Sequence, residues 1–407
     1  IKILNCKGVL VLNRVVEEKL NFNLHGTMEV NTEGVLEIGN MDVKKLKEKH
    51  GTPLTVLDEK EIRKNIRKYV NTFKENYPDF KVLYAGKAFM NRTLCRILED
   101  EGAGVDAVSG GEVYTALQAD FPSENIFFHG NNKLPEEIEL GLDNDIGRFM
   151  VDNAYEADIL NNIAGKKNKK AEVIVRITPG IEAHTHEYIQ TGQVDSKFGV
   201  SFADNQALNL IKEIIKYNNL EIKGIHAHIG SQIFALESYQ KLIEVLFNFL
   251  IEIKEKTGKE LKELDLGGGL GISHVEDEDP PRISKFVKII SNKVIEEAER
   301  HDYPLPQLIV EPGRSIIGTA GTTLYTVGSI KQVPGMTKYV AVDGGMTDNI
   351  RPALYDADYE VILANRCLEE PSDIVTIAGK CCESGDILAE EVEIPEPESG
   401  DIIAIPA

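Results

Sequence analysis

The sequence predicts an α/β protein built on a (β/α)8 TIM-like barrel, with a C-terminal β-rich domain joined by the N-terminal strands. Three observations predict it. Eight short apolar segments alternate with longer helical ones across the middle of the chain, the pattern of parallel βα units. Nearly every apolar segment ends on a polar or glycine motif, as barrel strands do where their C-terminal ends converge on one mouth. Beyond residue 315 helical periodicity fades and strand-like segments follow one another. An eightfold count favours a closed barrel over an open sheet.

Residues 1–44 carry short β-like pieces punctuated by glycine, such as Gly34–Gly39, and are expected to join the β domain. Ile62, Ile66 and Tyr69 recur at helical spacing within 59–78. The first barrel strand is expected at Val82–Ala85 and the second at Gly104–Val108. The next three are expected at Asn125–Phe128, Ile146–Val151 and Ala171–Ile177, and the last three at Ile222–Ala227, Leu261–Leu266 and Leu308–Val310. Helices are expected around 91–101, 111–119, 134–142, 153–164, 204–217, 236–257 and 283–299. Gly318–Tyr325, Tyr339–Val342, Val375–Ala378 and Ile402–Ile405 read as strands and Pro395–Gly400 as a turn. The expected divisions are 1–44, a barrel over 45–315 and a β domain over 316–407.

The 407 residues carry a formal net charge of −21 with no basic block. That argues against a nucleic-acid partner or an anionic membrane surface, and no apolar run is long enough to suggest a membrane span. The five cysteines, Cys6, Cys95, Cys367, Cys381 and Cys382, are sparse and odd in number, unlike a disulfide scaffold. A reduced, cytoplasmic protein is expected. No signal peptide is visible in a sequence that begins at Ile1.

The strand ends carry the chemistry. Lys87 follows the first strand in an apolar setting, where a desolvated amine loses its proton and forms a Schiff base; a surface lysine capping a strand is the bland alternative. Gly267, Gly268 and Gly269, with Gly271, follow the seventh strand and expose backbone N–H groups that suit a phosphate, or simply make a tight turn. Glu311 can hold a pyridinium nitrogen protonated, and Arg314 suits a phosphate or carboxylate; the two could also pair only with each other. His228, nearest the mouth, could stack on a cofactor ring. His226 and His228 share one side of a regular strand, so a two-histidine metal site recruiting His129 and Asp152 stays open, beside a core role for His226. The whole set best suits an aldehyde cofactor bearing a phosphate, pyridoxal phosphate, with no metal.

Asp106, Ser109, Gly110, Gly111, Asn131 and Arg176 are further candidates to line the mouth, and His184 and His186 lie in the loop after the fifth strand. Cys382 beside Glu383 could donate a proton at a carbanion, or be a structural cysteine. Arg351, four residues before Tyr355, could grip a distal carboxylate or form a surface ion pair.

These ordered blocks resemble the diaminopimelate decarboxylases, pyridoxal-phosphate enzymes of the alanine-racemase-like fold type III. The resemblance covers nearly the whole chain. It is most specific at Tyr84–Phe89, Asp106–Glu112, Phe128–Lys133, Thr191–Gly199, Gly224–Gln232, Asp265–Gly271, Glu311–Ser315, Asp343–Tyr355 and Cys381–Asp386. It implies a carboxy-lyase that converts meso-2,6-diaminopimelate to L-lysine and carbon dioxide through an external aldimine, the final step of lysine biosynthesis. By the resemblance Lys87 carries the cofactor, His228 stacks on its ring and Glu311 meets its pyridine nitrogen. Gly268, Gly269 and Arg314 hold the phosphate, with Ser231 nearby. Arg314, Arg351 and Tyr355 reach the substrate. Cys382 and Glu383 complete the site from the partner subunit of a homodimer. A Gly-Ala-Tyr-Gly segment, whose tyrosine helps hold the phosphate, is expected after Gly400–Ile405; the sequence given stops at Ala407. A decarboxylase of another basic amino acid, ornithine or arginine, is the alternative.

Overall fold

The computed structural model describes residues 22–180, 196–275 and 278–406; Cys6, His184 and His186 lie outside them. The chain divides into two compact units: residues 63–272 with 280–317 form one, and residues up to 62, 273–279 and 318 onward form the other.

In the N-terminal segment β1 (Glu29–Val30), β2 (Leu36–Ile38) and β3 (Met41–Asp42) form a small antiparallel sheet, followed by β4 (Leu54–Leu57). The barrel strands are β5 (Phe80–Ala85), β6 (Gly104–Ala107), β7 (Ile126–Phe128), β8 (Arg148–Val151) and β9 (Ala171–Thr178). After a short β10 (Val200–Ser201) come β11 (Leu220–His226), β12 (Glu263–Asp265) and β13 (Gln307–Val310). Each barrel strand pairs in parallel with its neighbour, β13 returns to β5, and the β8–β9 pairing closes the ring. The predicted eight-stranded barrel is therefore present, with strand and helix bounds within a few residues of those expected.

The local reasons are visible in the sequence. Asn91, Ser109 and Asn153 cap the helices Arg92–Asp100, Gly110–Leu117 and Ala154–Lys166 by accepting from backbone N–H groups, which satisfies donors a helix start leaves unpaired. Strands β6 and β7 are buried throughout, as strands covered on both faces must be. Leu83, Phe127, Met150, Ile174 and Ile309, from five strands, form one apolar cluster. Because strand side chains alternate faces, the residues two positions on share their direction. Four of those positions are His129, Asp152, Arg176 and Glu311. An apolar layer thus gives way to a polar one at the C-terminal ends of the strands.

In the other unit β14 (Gly321–Gln332), β15 (Lys338–Val342), β16 (Ile362–Leu363), β17 (Asp373–Ala378), β18 (Ile387–Ile394) and β19 (Ile402–Pro406) form a sheet in the order β16-β19-β14-β15-β17-β18, with β4 also paired to β14. Alternation gives this sheet two buried faces. Tyr325, Val327, Ile403 and Ile405 enter one core. Leu324, Ile402 and Ala404 enter a second core, shared with Met28, Val35, Leu36, Ile38 and Val43 of the N-terminal segment. The N-terminal strands join the C-terminal β domain because they cover its second apolar face.

Candidate active site

Glu311 organises the floor of the barrel mouth. It follows β13 and is buried. His226, the last residue of β11, lies with Nε2 3.1 Å from Glu311 Oε2 in a hydrogen bond. His129, just after β7, brings Nε2 to 2.6 Å from Oε1, out of line for a hydrogen bond. The two imidazoles meet edge to face at 5.1 Å. Burial alone would push Glu311 upward, but His129 and His226 outweigh it and hold its carboxyl well below the usual range. Burial lowers His226 to about 4 against the pull of Glu311, so a neutral ring donates Nε2–H to the carboxylate. Two further carboxyls take the opposite course. Burial, followed by the charge on Glu311, raises Asp265 well above its ordinary value. Burial raises Asp106 to about 6, against His129 and with Glu311. One buried acid is thus kept anionic while its neighbours are pushed toward the neutral form.

The histidines are not arranged as the strand pattern predicts. β11 ends at His226, so strict alternation does not carry on to His228. His226 faces Glu311, whereas His228 Nδ1 accepts the Gly268 N–H at 3.2 Å. Burial, reinforced by Lys87 and Arg176, lowers His228 well below its ordinary value. His226 and His228 therefore do not face one way, as the alternative of a two-histidine metal site requires. His129, His226 and Glu311 do gather three ligand-type atoms. Asp152 lies 3.9 Å from Arg176, whose guanidinium sits 4.4 Å over the Phe198 ring.

Lys87 lies in the short turn Gly86–Ala88 directly after β5. It is exposed, so the apolar setting expected for it is not met, although its charge is felt at both Asp106 and His228. Arg314 opens the short helix Arg314–Ile317 and points Nη2 to Ser231 Oγ at 3.5 Å. The glycine run is explained first by close packing. A Cβ on Gly268 would stand 2.0 Å from the Glu311 carbonyl oxygen, and one on Gly269 2.2 Å from that of Gly230, at a φ of +111°. Gly269→Ala should therefore cost about 3 kcal/mol or more, read as a lower urea unfolding midpoint. Ser109 and Gly110, expected to line the mouth, are committed locally. Ser109 caps its helix and the Gly110 N–H donates to Glu137 at 2.7 Å.

The remaining candidates lie in the β unit. Arg351 opens the helix Arg351–Tyr355. Its Nη1 meets Tyr359 Oη at 2.6 Å and His274 Nε2 at 3.0 Å, and the His274 and Tyr359 rings lie 4.9 Å apart. Neither partner was expected, because nothing in the spacing of 274, 351 and 359 joins them. Cys382 and Glu383 are exposed in the turn between β17 and β18, and Cys381 is half-buried.

The donor set fits pyridoxal phosphate. A Schiff base needs an amine, which Lys87 brings. A ring nitrogen held protonated needs a buried anion, which Glu311 brings. A phosphate needs a cation and hydroxyl together, as at Arg314 and Ser231.

The comparisons agree. Residues 63–318 match the family model described as pyridoxal-dependent decarboxylase, pyridoxal binding domain. The chain is 48% identical to the diaminopimelate decarboxylase of Bacillus methanolicus, over 94% of this chain and 88% of that protein. The chain belongs to the diaminopimelate decarboxylase family. The Bacillus subtilis diaminopimelate decarboxylase is 46% identical, over 94% of this chain and 87% of the other. A crystal structure of the M. jannaschii diaminopimelate decarboxylase, in complex with L-lysine, superposes with a TM-score of 0.87 at 36% identity, covering 94% of this chain and 87% of that one. Membership accounts for the barrel joined to a β domain. No helix among the described residues is long and apolar enough to cross a membrane.

Proposed function

We infer that this chain decarboxylates meso-2,6-diaminopimelate to L-lysine and carbon dioxide, the last step of lysine biosynthesis. The observation that carries the reading is similarity at 42–48% identity to diaminopimelate decarboxylases across at least 93% of the chain. The buried anion at the barrel floor supplies the chemistry that such a reaction needs. Pyridoxal phosphate, when bound, supplies an electron sink for the bond that loses carbon dioxide.

The chain's own residues divide the remaining work. Lys87 would tether the cofactor aldehyde. Glu311, held anionic by His129 and His226, would keep a proton on the ring nitrogen. His228, neutral and fixed by the Gly268 N–H, would lie against the ring. Arg314, Ser231, Gly268 and Gly269 would hold the phosphate. Cys382 delivers the proton that replaces the departing carboxylate, with Glu383 contacting the substrate beside it. Arg351 and Tyr355 grip the distal amino-acid end, and Arg314 also contacts the substrate. In this reading Cys382 and Glu383 come from the second subunit of a homodimer, and the enzyme works in the cytoplasm.

Arg351 separates the substrates. Diaminopimelate carries a second carboxylate, which a guanidinium attracts; ornithine ends in a cation, which it repels. Purified protein with pyridoxal phosphate should release lysine and carbon dioxide in equal amounts from meso-diaminopimelate and little product from ornithine. Preference for ornithine would overturn the reading. Arg351→Ala should raise KM for diaminopimelate about 10- to 100-fold, the value of a lost hydrogen bond to a charged group. Steady-state kinetics checks it.

A further inference from the structure

Arg351 is half-buried, yet among the described residues it forms no salt bridge. Two uncharged acceptors hold it instead. Its Nη1 donates to Tyr359 Oη at 2.6 Å and to His274 Nε2 at 3.0 Å. A guanidinium can only donate, so His274 Nε2 accepts and the neutral ring carries its proton on Nδ1. Both acceptors are buried, His274 at 7% exposure and Tyr359 at 6%, and their rings lie 4.9 Å apart. The chain around them is tied down. His274 O accepts the N–H of Glu360, the residue after Tyr359, at 3.2 Å, and the His274 N–H donates to Glu278 Oε2 at 2.6 Å. The Glu360 carboxylate accepts from Asn23 N–H and Nδ2 at 3.1 and 2.8 Å. Two carboxylates thus stand close by in sequence or in space, and both are engaged elsewhere than on Arg351. The two acceptors use both hydrogens of Nη1, while Nη2 and Nε make no hydrogen bond among the described residues.

We propose that His274 and Tyr359 are positioning residues: they hold Arg351 by Nη1 alone, reserve its Nε–Nη2 edge for the substrate's distal carboxylate and leave its charge uncancelled. The proposal rests on the role given above to Arg351. The Nε–Nη2 edge offers two parallel N–H groups, the geometry that matches both oxygens of a carboxylate. Neutral acceptors suit the task, because an acidic side chain in place of either would compete with the substrate for the same cation. Without them a long side chain would have to be ordered when substrate arrives, which weakens binding. His274, Arg351 and Tyr359 belong to the same unit of the chain, so the arrangement is complete within one subunit.

The test is a double-mutant cycle in the cofactor-loaded enzyme. His274→Leu keeps the bulk and removes the acceptor; it should raise KM for meso-diaminopimelate about tenfold with kcat changed less than about twofold. His274→Gln keeps an acceptor oxygen and should return KM to within about threefold of wild type. On an Arg351→Ala background His274→Leu should change KM no further. Should His274→Leu fail to fold, Tyr359→Phe takes its place, because it deletes a single oxygen; the same rise in KM, and the same disappearance on the Arg351→Ala background, are expected. An unchanged KM, equal KM values for the leucine and glutamine variants, or an effect that persists without Arg351 would make these residues structural, and the proposal falls alone. A wild-type KM in Arg351→Ala would remove the role of Arg351 itself, and the proposal falls with it.

Discussion

Replacing Lys87 with alanine should lower decarboxylation of meso-diaminopimelate by at least about a thousandfold. The variant should also retain no cofactor after borohydride reduction, whereas the wild-type chain should carry it on the peptide containing Lys87. The expectation follows from placement. Lys87 sits in the turn after β5, exposed and within electrostatic reach of His228 and Asp106. Lys133, in the loop after β7, cannot replace it. Its ammonium is buried and bound to Gly130 O at 2.9 Å, Met150 O at 2.8 Å and Glu156 Oε1 at 2.7 Å, and freeing it would leave a buried charge unpaired. A small added amine should restore part of the lost rate, since the barrel remains intact. Activity within tenfold of wild type without added amine, or borohydride labelling of a different lysine, would remove Lys87 from its role.

Glu311→Gln should lower kcat about 100- to 1000-fold while cofactor binding persists. The substitution keeps the shape of the floor and deletes its charge. His226 can still donate to the amide oxygen, so the local fold survives, but the amide has no negative charge with which to hold a proton on a ring nitrogen. Loss of one preorganised electrostatic contact at a reacting system costs about two to three orders of magnitude. The measurement is kcat at saturating substrate, with bound cofactor counted by absorbance in the same sample. A kcat within threefold of wild type at full occupancy would show that the anion is not required.

The barrel is legible in the sequence because each strand is a short apolar run closed by a polar or glycine residue, and its helices keep a clear period. The small elements are less legible. β4 follows directly on Pro53, which reads as a turn signal, and the Lys-rich helix Val43–His50 buries only Val43 and Leu46. β18 reads Ile-Leu-Ala-Glu-Glu-Val-Glu-Ile, too acidic for an apolar run. At the site, Lys87, His228, Glu311 and Arg314 announce themselves by type and by position after a strand. The clamp on Glu311 does not. His129 follows β7 and His226 ends β11, and sequence spacing tells which way a side chain leaves its strand but not what stands across the barrel. For the same reason Ser109 and Gly110 read as lining groups, while their partners are a helix start and Glu137.

The sharing of one apolar core between the chain's beginning and its end bears on how the protein is made. Thr55 of β4 faces Thr323 of β14, 268 positions later. During synthesis at about 5–20 residues per second, the N-terminal strands must wait tens of seconds for that partner to be made. The intervening barrel residues have most of their own partners nearer in sequence and can organise first. The waiting segment holds Val35, Leu36 and Val43, all fully buried in the finished fold, uncovered throughout that interval. Contacts between such distant positions form slowly. The β unit is thus the last part of the chain able to fold, and the stage at which nascent chains are most open to aggregation or capture by chaperones.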